Sequence, residues 1–462
     1  MSGQTKKRSM DMLHGSIWNK LILYALPVAA TGILEQLFNA SDVAIVGNFT
    51  GEMRTVAVAA VGANSPIVGL LLNLFIGIAL GANVVIAHAV GQGDEKTIHH
   101  AVHTAVIMAV AGGALVAVIG ELGVGSLLRM LNVPEDVFPQ ALLYIRIYLL
   151  GLPVILLYNF EAAIFRSVGE TRMPLEALAI SGVLNVCLNL FFVVVLHMTV
   201  NGVAIATVLS NAVSSLILLV KLLRTDQAIR IRLDELRFHK DVFVKILRIG
   251  LPAGIQSAVF AVANIVIQSA INSLGTVVIA ASSAAFNLEI FAYDVLNAFS
   301  QACTTFTGQN FGAGQIKRCR KVLLLCLLED TIATAATIFI VLFFGKNLLA
   351  IFNSDPAVIE IGYTRLLLIF SAYTFTMLYE NFSGYLRGFG ISVVPAVLTI
   401  IGVCGVRLLW IFTAFPRSQT FRTIMMAYPI SLSTTALLMF LALMWYRPAR
   451  KHPQRHDRAY GK

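Results

Sequence analysis

YNFEAAIFRSVGETRMP, residues 158–174, returns as YENFSGYLRGFGISVVP at residues 379–395. At a constant offset of 221 positions, Tyr158 meets Tyr379, Arg166 meets Arg387, Gly169 meets Gly390 and Pro174 meets Pro395. The same offset lays LNVPE at 131–135 over FNSDP at 352–356. Neighbouring offsets pair ALPVAA at 25–30 with GLPAGI at 250–255, and VGQGDEK at 90–96 with TGQNFGAGQIK at 307–317. The chain therefore carries one architecture twice, on either side of a polar stretch at 221–245.

Composition says what each copy is made of. Of 462 residues, 58% are hydrophobic and only 13% charged, whereas about a quarter of an ordinary soluble chain is charged. About twelve apolar runs have the roughly 20 residues that a helix needs to cross a bilayer core. They are expected at 18–47, 56–88, 97–120, 138–161, 173–196, 201–223, 244–271, 276–307, 319–344, 357–385, 392–414 and 423–446. Runs of this length are too long for barrel strands, and a spanning segment must satisfy its own backbone hydrogen bonds, so the expected class is an all-α integral membrane protein. Six crossings per copy is an even number. Both copies then enter from the same side, giving twelve transmembrane helices in two six-helix lobes related by a parallel internal repeat, an arrangement that transporters use. The expected division is a lobe at 1–220, a cytoplasmic linker at 221–243, and a second lobe at 244–462 that ends in a basic cytoplasmic tail. Duplication can also yield a bare scaffold, but transport is the better account of a duplicated membrane bundle.

Orientation follows from lysine and arginine. With the amino terminus in the cytoplasm, 26 of the 34 Lys and Arg are cytoplasmic, among them Lys6, Lys7, Arg8 and six in the tail. The positive-inside rule then puts both termini in the cytoplasm of a multi-pass protein, expected in a bacterial inner membrane. The net charge of +10 is explained by basic segments beside anionic lipid, with no nucleic acid. A cleaved leader is not expected, because the first apolar run is too long and carries Glu35 and Asp42. The five cysteines, Cys187, Cys303, Cys319, Cys326 and Cys404, have no disulfide or metal-ligand spacing and read as small buried thiols. His99, His100 and His103 beside Asp94 and Glu95 read as a solvated helix start rather than a metal site. The glycines of GQGDEK and GQNFGAG lack the lysine-serine pair of a phosphate loop and read as tight turns.

In order along the chain, Pro27, LFNASDVAIVG at 37–47, GQGDEK, FRSVGETRMP, LNVCLNLFFV at 184–193, NGVAIATVLS at 201–210 and FTGQNFGAG at 306–314 resemble the multidrug and toxic compound extrusion family over essentially the whole chain. The resemblance implies export of cationic or amphipathic compounds in exchange for H⁺ or Na⁺ by alternating access, with no cofactor beyond the coupling ion. It also implies drugs or toxic metabolites as cargo, lipid as surroundings, and a monomer.

The carboxylate in the first span is the candidate for coupling. At 1.5 Å rise per residue, Asp42 lies roughly 8 Å from the outer end of span 1, and Tyr144, Asn189 and Thr207 lie at a similar depth in spans 4, 5 and 6. Asn185 stacks one turn below Asn189. A carboxylate ringed by hydroxyls and amides suits a proton or Na⁺. Pro27 lacks an amide hydrogen and is where span 1 could bend, a role that the resemblance assigns to the matching proline, as it assigns coupling to the matching aspartate. Many family members carry an aspartate where this chain has Asn189, so a second carboxylate is missing and the choice of ion stays open.

Other intramembrane charges admit two readings. Glu289 and Glu380 could form a second ion site or substrate cavity, with Phe286, Phe291 and Tyr293 nearby, or they could be charge-paired, for example with Arg365 or Arg407. Glu35, seven residues before Asp42, could share its pathway. A flippase for a lipid-linked saccharide would share the lobes but should line its cavity with several arginines; only Arg146, Arg365 and Arg407 are intramembrane. An intramembrane hydrolase lacks its motifs here, so no enzyme is expected, and a passive channel would not need a duplicated pair of lobes.

Overall fold

The computed structural model describes residues 10–131 and 133–448. Lys6, Lys7, Arg8, Asn132 and the basic tail residues after Arg447 lie outside the described residues. The described chain is built from helices joined by short connections, in the order α1 Trp18–Phe49, α2 Arg54–Gln92, α3 Glu95–Met130, α4 Phe138–Ser167, α5 Arg172–Leu190, α6 Val200–Arg224, α7 Lys240–Asn272, α8 Thr276–Gly312, α9 Ile316–Phe352, α10 Pro356–Phe370, α11 Tyr373–Gly388, α12 Val393–Thr399, α13 Val406–Thr413 and α14 Phe421–Tyr446. The chain is a multi-pass membrane protein. Eleven of its described helical segments are long and apolar enough to cross a bilayer singly, and α10 with α11 makes a twelfth, bent by 46°. That pair was expected as one span over 357–385; the break falls at Ser371 and Ala372.

Local chemistry starts and stops these helices. The Asp94 side chain caps α3, its Oδ1 accepting from the Thr97 amide at 3.0 Å and its Oδ2 from the Thr97 hydroxyl at 2.6 Å, which satisfies one of the free N–H groups of the first turn. Hydrogen bonding to the charged form holds the Asp94 carboxyl below the usual carboxylate range, the Thr97 hydroxyl contributing most. At α10, Asp355 accepts from the Ala357 amide at 2.8 Å and Pro356 occupies the first helical position, where its missing N–H costs nothing. Pro27, Pro66, Pro153, Pro252 and Pro429 lie inside helices. Helix α1 runs without interruption through Pro27. Two segments widen to π-turns, Phe191–Val195 after α5 and Ile400–Gly405 between α12 and α13.

The described chain forms two compact units. One comprises the described residues through Ala29, Ala87–Gly93 and everything from Arg248; the other comprises Ala30–Ile86 and Asp94–Leu247. Helices α1, α2 and α7 are each shared between both. In the second of these units, α4 packs on α3 and α6, and α5 packs on α6. In the other, α8 packs on α9, α10 and α11, while α14 packs on α10, α11 and α13. Its core has two parts. Leu21, Tyr24 and Val28 of α1 pack with Phe299 and Phe306 of α8 and with Cys319 and Val322 of α9. Leu366 and Phe370 of α10 pack with Leu386 of α11 and with Ile424, Met425 and Met439 of α14.

The repeat is visible in the backbone itself. Gly93 and Gly314 have φ of 68° and 72°, and Gly169 and Gly390 have φ of 83° and 79°, so partners 221 positions apart turn the chain through the same left-handed conformation, which glycine adopts without steric cost. A closer relation joins the ends of α2 and α8. A Cβ on Gly91 would lie 1.9 Å from the Gln309 carbonyl oxygen, and one on Gly312 would lie 2.2 Å from that of His88. Gly91 and Gly312 are repeat partners, and so are His88 and Gln309. The crossing requires glycine on both sides.

Two sequence expectations are corrected. Cys303, Cys319, Cys326 and Cys404 are buried, but Cys187 is exposed on α5. Of the three histidines read as a solvated helix start, His99 and His100 are half-buried, but His103 is fully buried and its ring ties α3 to the chain that follows α6. Nδ1 of His103 lies 2.8 Å from the His99 carbonyl oxygen, and Nε2 lies 3.1 Å from both the amide nitrogen and the carbonyl oxygen of Arg232. Glu235 lies 2.9 Å from His99, and the His239 ring stacks on His100 at 3.6 Å.

Candidate functional site

Asp42 is 7% exposed. Its Oδ1 accepts from the Asn189 amide at 2.5 Å, and its Oδ2 from the Thr207 hydroxyl at 3.1 Å. Three helices, α1, α5 and α6, thus meet at one carboxylate. Asn189, fully buried, gives its other amide hydrogen to Oδ1 of Asn185 at 3.1 Å, one turn below it. Thr207 also lies 2.9 Å from the Val203 carbonyl, so its single hydroxyl proton is shared between that oxygen and Asp42. The carbonyl oxygen of Asn189 is buried without a partner. Among the described residues no lysine, arginine or histidine pairs with Asp42.

The approach of α1 to α5 is set four residues before Asp42. The Phe38 ring packs against Gly182, where a Cβ would come within 1.8 Å of it. Residues 38 and 42 share one face of α1, and 182 and 189 lie two turns apart on α5, so the glycine lets the helices come close enough for Asn189 to reach Asp42. The π-turn begins two residues beyond Asn189.

Asp42 lies on the wall of a cavity of ≈ 380 Å³ that is contained within one unit. Glu35, Tyr144, Asn185 and Thr207 share that wall, together with Tyr148, Tyr158, Asn159, Ser181, Ser210 and Asn211. It has two carboxylates and no lysine or arginine among its described lining residues. Tyr144 stacks on Tyr148 with ring centroids 6.3 Å apart and makes no hydrogen bond to Asp42 among the described residues. Tyr148 escaped the sequence reading and Tyr158 entered it only as a repeat partner of Tyr379, although each lies on α4 at a spacing of four or fourteen from Tyr144, which is the same helix face.

The carboxylates of the other unit have separate partners. Glu289 is held by Arg365 in a two-pronged ion pair, Nε to Oε1 at 2.5 Å and Nη2 to Oε2 at 2.9 Å. The remaining guanidinium nitrogen, Nη1, donates to the Ser282 hydroxyl at 2.6 Å. Arg407 instead bonds Ser431 at 2.9 Å and lies 4.1 Å from the centre of the Tyr428 ring. Glu380 accepts from the Tyr293 hydroxyl at 3.1 Å, so Glu289 and Glu380 are engaged separately. The Phe286 ring already faces a cation, with Cζ of Arg365 at 5.7 Å.

Sequence reasoning passed over three further buried carboxylates, Glu161, Glu329 and Asp330. Glu161 accepts from Ser215 at 2.9 Å. Asp330 accepts from the Asn381 amide at 2.5 Å and from Thr334 at 3.2 Å. The signal for the last two was the dipeptide Glu329-Asp330 inside the ninth expected span.

Comparison with known proteins places these features in context. The family model MatE matches residues 27–191 and 252–413, one match in each copy of the repeat. The "Probable multidrug resistance protein YoeA" of Bacillus subtilis (strain 168) is 24% identical over 448 residues, covering 94% of each chain. The "FAD transporter" of Shewanella oneidensis is 25% identical over 320 residues, covering 68% of this chain and 70% of its own. Among solved structures, the "Outward-facing conformation of a multidrug resistance MATE family transporter of the MOP superfamily" superposes with a TM-score of 0.89 at 21% identity, over 97% of this chain and all of that one. That likeness is one of fold.

Proposed function

Since the chain belongs to the MatE family, we propose that it is a secondary active efflux transporter that exports cationic or amphipathic small molecules in exchange for H⁺ or Na⁺. It works in a bacterial cytoplasmic membrane with both termini inside, as the lysine and arginine asymmetry favours. The observation that carries this reading is Asp42: a buried carboxylate with neutral donors only, on the wall of a cavity whose described lining is acidic, hydroxylated and free of lysine and arginine.

An unpaired anion excluded from water is costly. Asp42 offsets part of that cost with Asn189 and Thr207 and completes the offset by taking up a cation. When it is charged, the cavity attracts a cationic substrate. When it has taken up H⁺ or Na⁺ that attraction is weakened, and α1 can repack about Pro27, where the missing amide hydrogen weakens the helix. Ion and substrate then compete for one charge, which is the differential affinity that an exchanger needs. Glu35, two turns below on α1, extends the acidic wall. The same composition speaks against a carrier of pyrophosphate-linked lipid or of another polyanion, since Arg146 is paired with Glu121 at 3.3 Å and the other two intramembrane arginines are engaged as described.

The test is uptake of a fluorescent cation into everted vesicles or proteoliposomes, driven in turn by a pH gradient and a Na⁺ gradient. Asp42→Asn is expected to lose at least tenfold under whichever gradient drives the parent protein. Undiminished transport under both would sink the reading. An FAD-loaded arm tests the anionic cargo, and transport of FAD without transport of the cation would replace this proposal.

A further inference from the structure

Asp330 repeats the chemistry of Asp42 at a place that the repeat does not explain. It lies on α9 with 0% exposure, and both of its oxygens accept from neutral donors, Oδ2 from Nδ2 of Asn381 on α11 at 2.5 Å and Oδ1 from the hydroxyl of Thr334 at 3.2 Å. A carboxylate, a carboxamide and a threonine hydroxyl thus form the same three-part set as Asp42, Asn189 and Thr207. The residue 221 positions before Asp330 is Ala109, so this set did not arise by duplication of the first. The second, independent observation is Asn381 itself. It is fully buried, its amide nitrogen is committed to Asp330 and to the Met377 carbonyl at 3.0 Å, and its own carbonyl oxygen has no partner.

We propose that Asp330, Asn381 and Thr334 form a proton-binding site within the carboxy-terminal helices, distinct from the site at Asp42. A buried carboxylate can be neutralised by a basic side chain, by a metal ion or by a proton. Glu289 uses the first route, through Arg365. Asp330 has no lysine, arginine or histidine partner among the described residues. A metal ion would need several converging oxygens, and the one orphaned oxygen next to Asp330 that its hydrogen-bond partners supply is Oδ1 of Asn381. A proton needs only one new acceptor. When it binds to a carboxylate oxygen of Asp330, the new O–H donates to Oδ1 of Asn381 once that amide turns over, and the orphan oxygen gains its bond.

The groups that face this site include a second buried carboxyl, Glu329, whose two oxygens have no hydrogen-bond partner among the described residues, and neither has the Tyr373 hydroxyl. Glu329 and Cys326 flank Asp330 on α9, Cys303 approaches from α8, and Tyr373 and Glu380 from α11. Tyr363 and Arg365 of α10 are bound to the Leu342 carbonyl and to Glu289, and Tyr24 of α1 is bound to Thr305. This site deepens the exchange reading by supplying a second proton per cycle, and it rests on that reading for its role in transport but not for its existence.

The experiment is infrared difference titration of the carboxyl C=O band on the full chain in lipid nanodiscs, comparing Asp42→Asn with Asp42→Asn/Asp330→Asn. The single variant is expected to keep a reversible protonated-carboxyl signal, and the double variant to lose one carboxyl's worth of it. Asn381→Leu and Thr334→Val keep the carboxylate and guard against misfolding of Asp330→Asn. Each removes a donor to the anion, and Asn381→Leu should move the midpoint about one pH unit upward. Identical titrations of the single and double variants, or a midpoint indifferent to both donor variants, would overturn the site while leaving the Asp42 reading standing. A parent protein in which neither aspartate titrates would remove both.

Discussion

Asn189 commits both amide hydrogens to its neighbours, one to Oδ1 of Asp42 at 2.5 Å and one to Oδ1 of Asn185 at 3.1 Å, and leaves its own carbonyl oxygen unpartnered. An amide in that orientation answers a carboxylate that is negatively charged. If Asp42 gains a proton it needs an acceptor instead, and the same residue can supply one by turning over. The asparagine can therefore report the charge of the aspartate through its orientation.

Replacing Asn189 by aspartate would set two carboxylates at hydrogen-bond distance, where they cannot both stay charged unless a cation joins them. Asn189→Asp is expected to make transport respond to Na⁺ more steeply than in the parent protein, read as uptake at fixed pH with and without Na⁺. Asn189→Leu removes the donor altogether and should lower transport about tenfold or more, consistent with ~1–3 kcal/mol for a buried polar group left without its partner. Unchanged cation dependence in both variants would detach Asn189 from the coupling site.

Gly182→Ala places a methyl group where the Phe38 ring now lies. Overpacking of this kind costs about 1–3 kcal/mol, and the ring must turn into the cavity. A lower melting temperature in detergent together with a several-fold loss of transport is expected. Gly123→Ala, where a Cβ would meet nothing within 4 Å, serves as the control and should leave both unchanged.

Arg365 is 3% exposed and holds Glu289 from two nitrogens. Breaking such a pair from one side leaves a buried charge alone and costs about 3–5 kcal/mol. Arg365→Met and Glu289→Gln should therefore each destabilise the protein strongly, while Arg365→Met/Glu289→Gln should recover a large part of the loss. Additive losses in a thermal-unfolding double-mutant cycle would show that the two side chains act separately.

Asp94 gives a pH dependence whose sign can be worked out. Its carboxyl is held below the usual carboxylate range by the Thr97 hydroxyl and amide, so the folded protein binds fewer protons there than the unfolded chain does. The contribution is present above the ordinary carboxylate value and is lost as pH falls through the lowered folded value. Asp94→Ala, which removes an N-cap worth about 1 kcal/mol, should lower stability near neutrality. The difference from the parent protein should shrink in acid, as followed by thermal unfolding against pH.

Much of this was legible in the sequence. Depth counting gathered Asp42, Asn185, Asn189 and Thr207, because a membrane fixes the axial position of a helical residue and polar groups at one depth have few places to go. It could not say which way a helix faces. Tyr144 reached the cavity without reaching the carboxylate, and Asp330, on a helix apolar around most of its circumference, gave no sign that it would meet Asn381. The break at Ser371 and Ala372 was invisible for a related reason: neither residue interrupts a helix by itself, and no proline or glycine stands nearby. His103 looked solvated because the chain segment that covers it lies 129 residues away.

The crossing of α2 and α8 has one further consequence. Gly91 receives Gln309 and Gly312 receives His88, so position i of one copy meets position j of the other, and j meets i. A contact with that reciprocity is isologous, the kind that two identical chains make across a twofold axis. Each half of this protein thus carries both faces of a self-complementary joint, and a half-length chain would hold everything needed to form it with a second copy of itself.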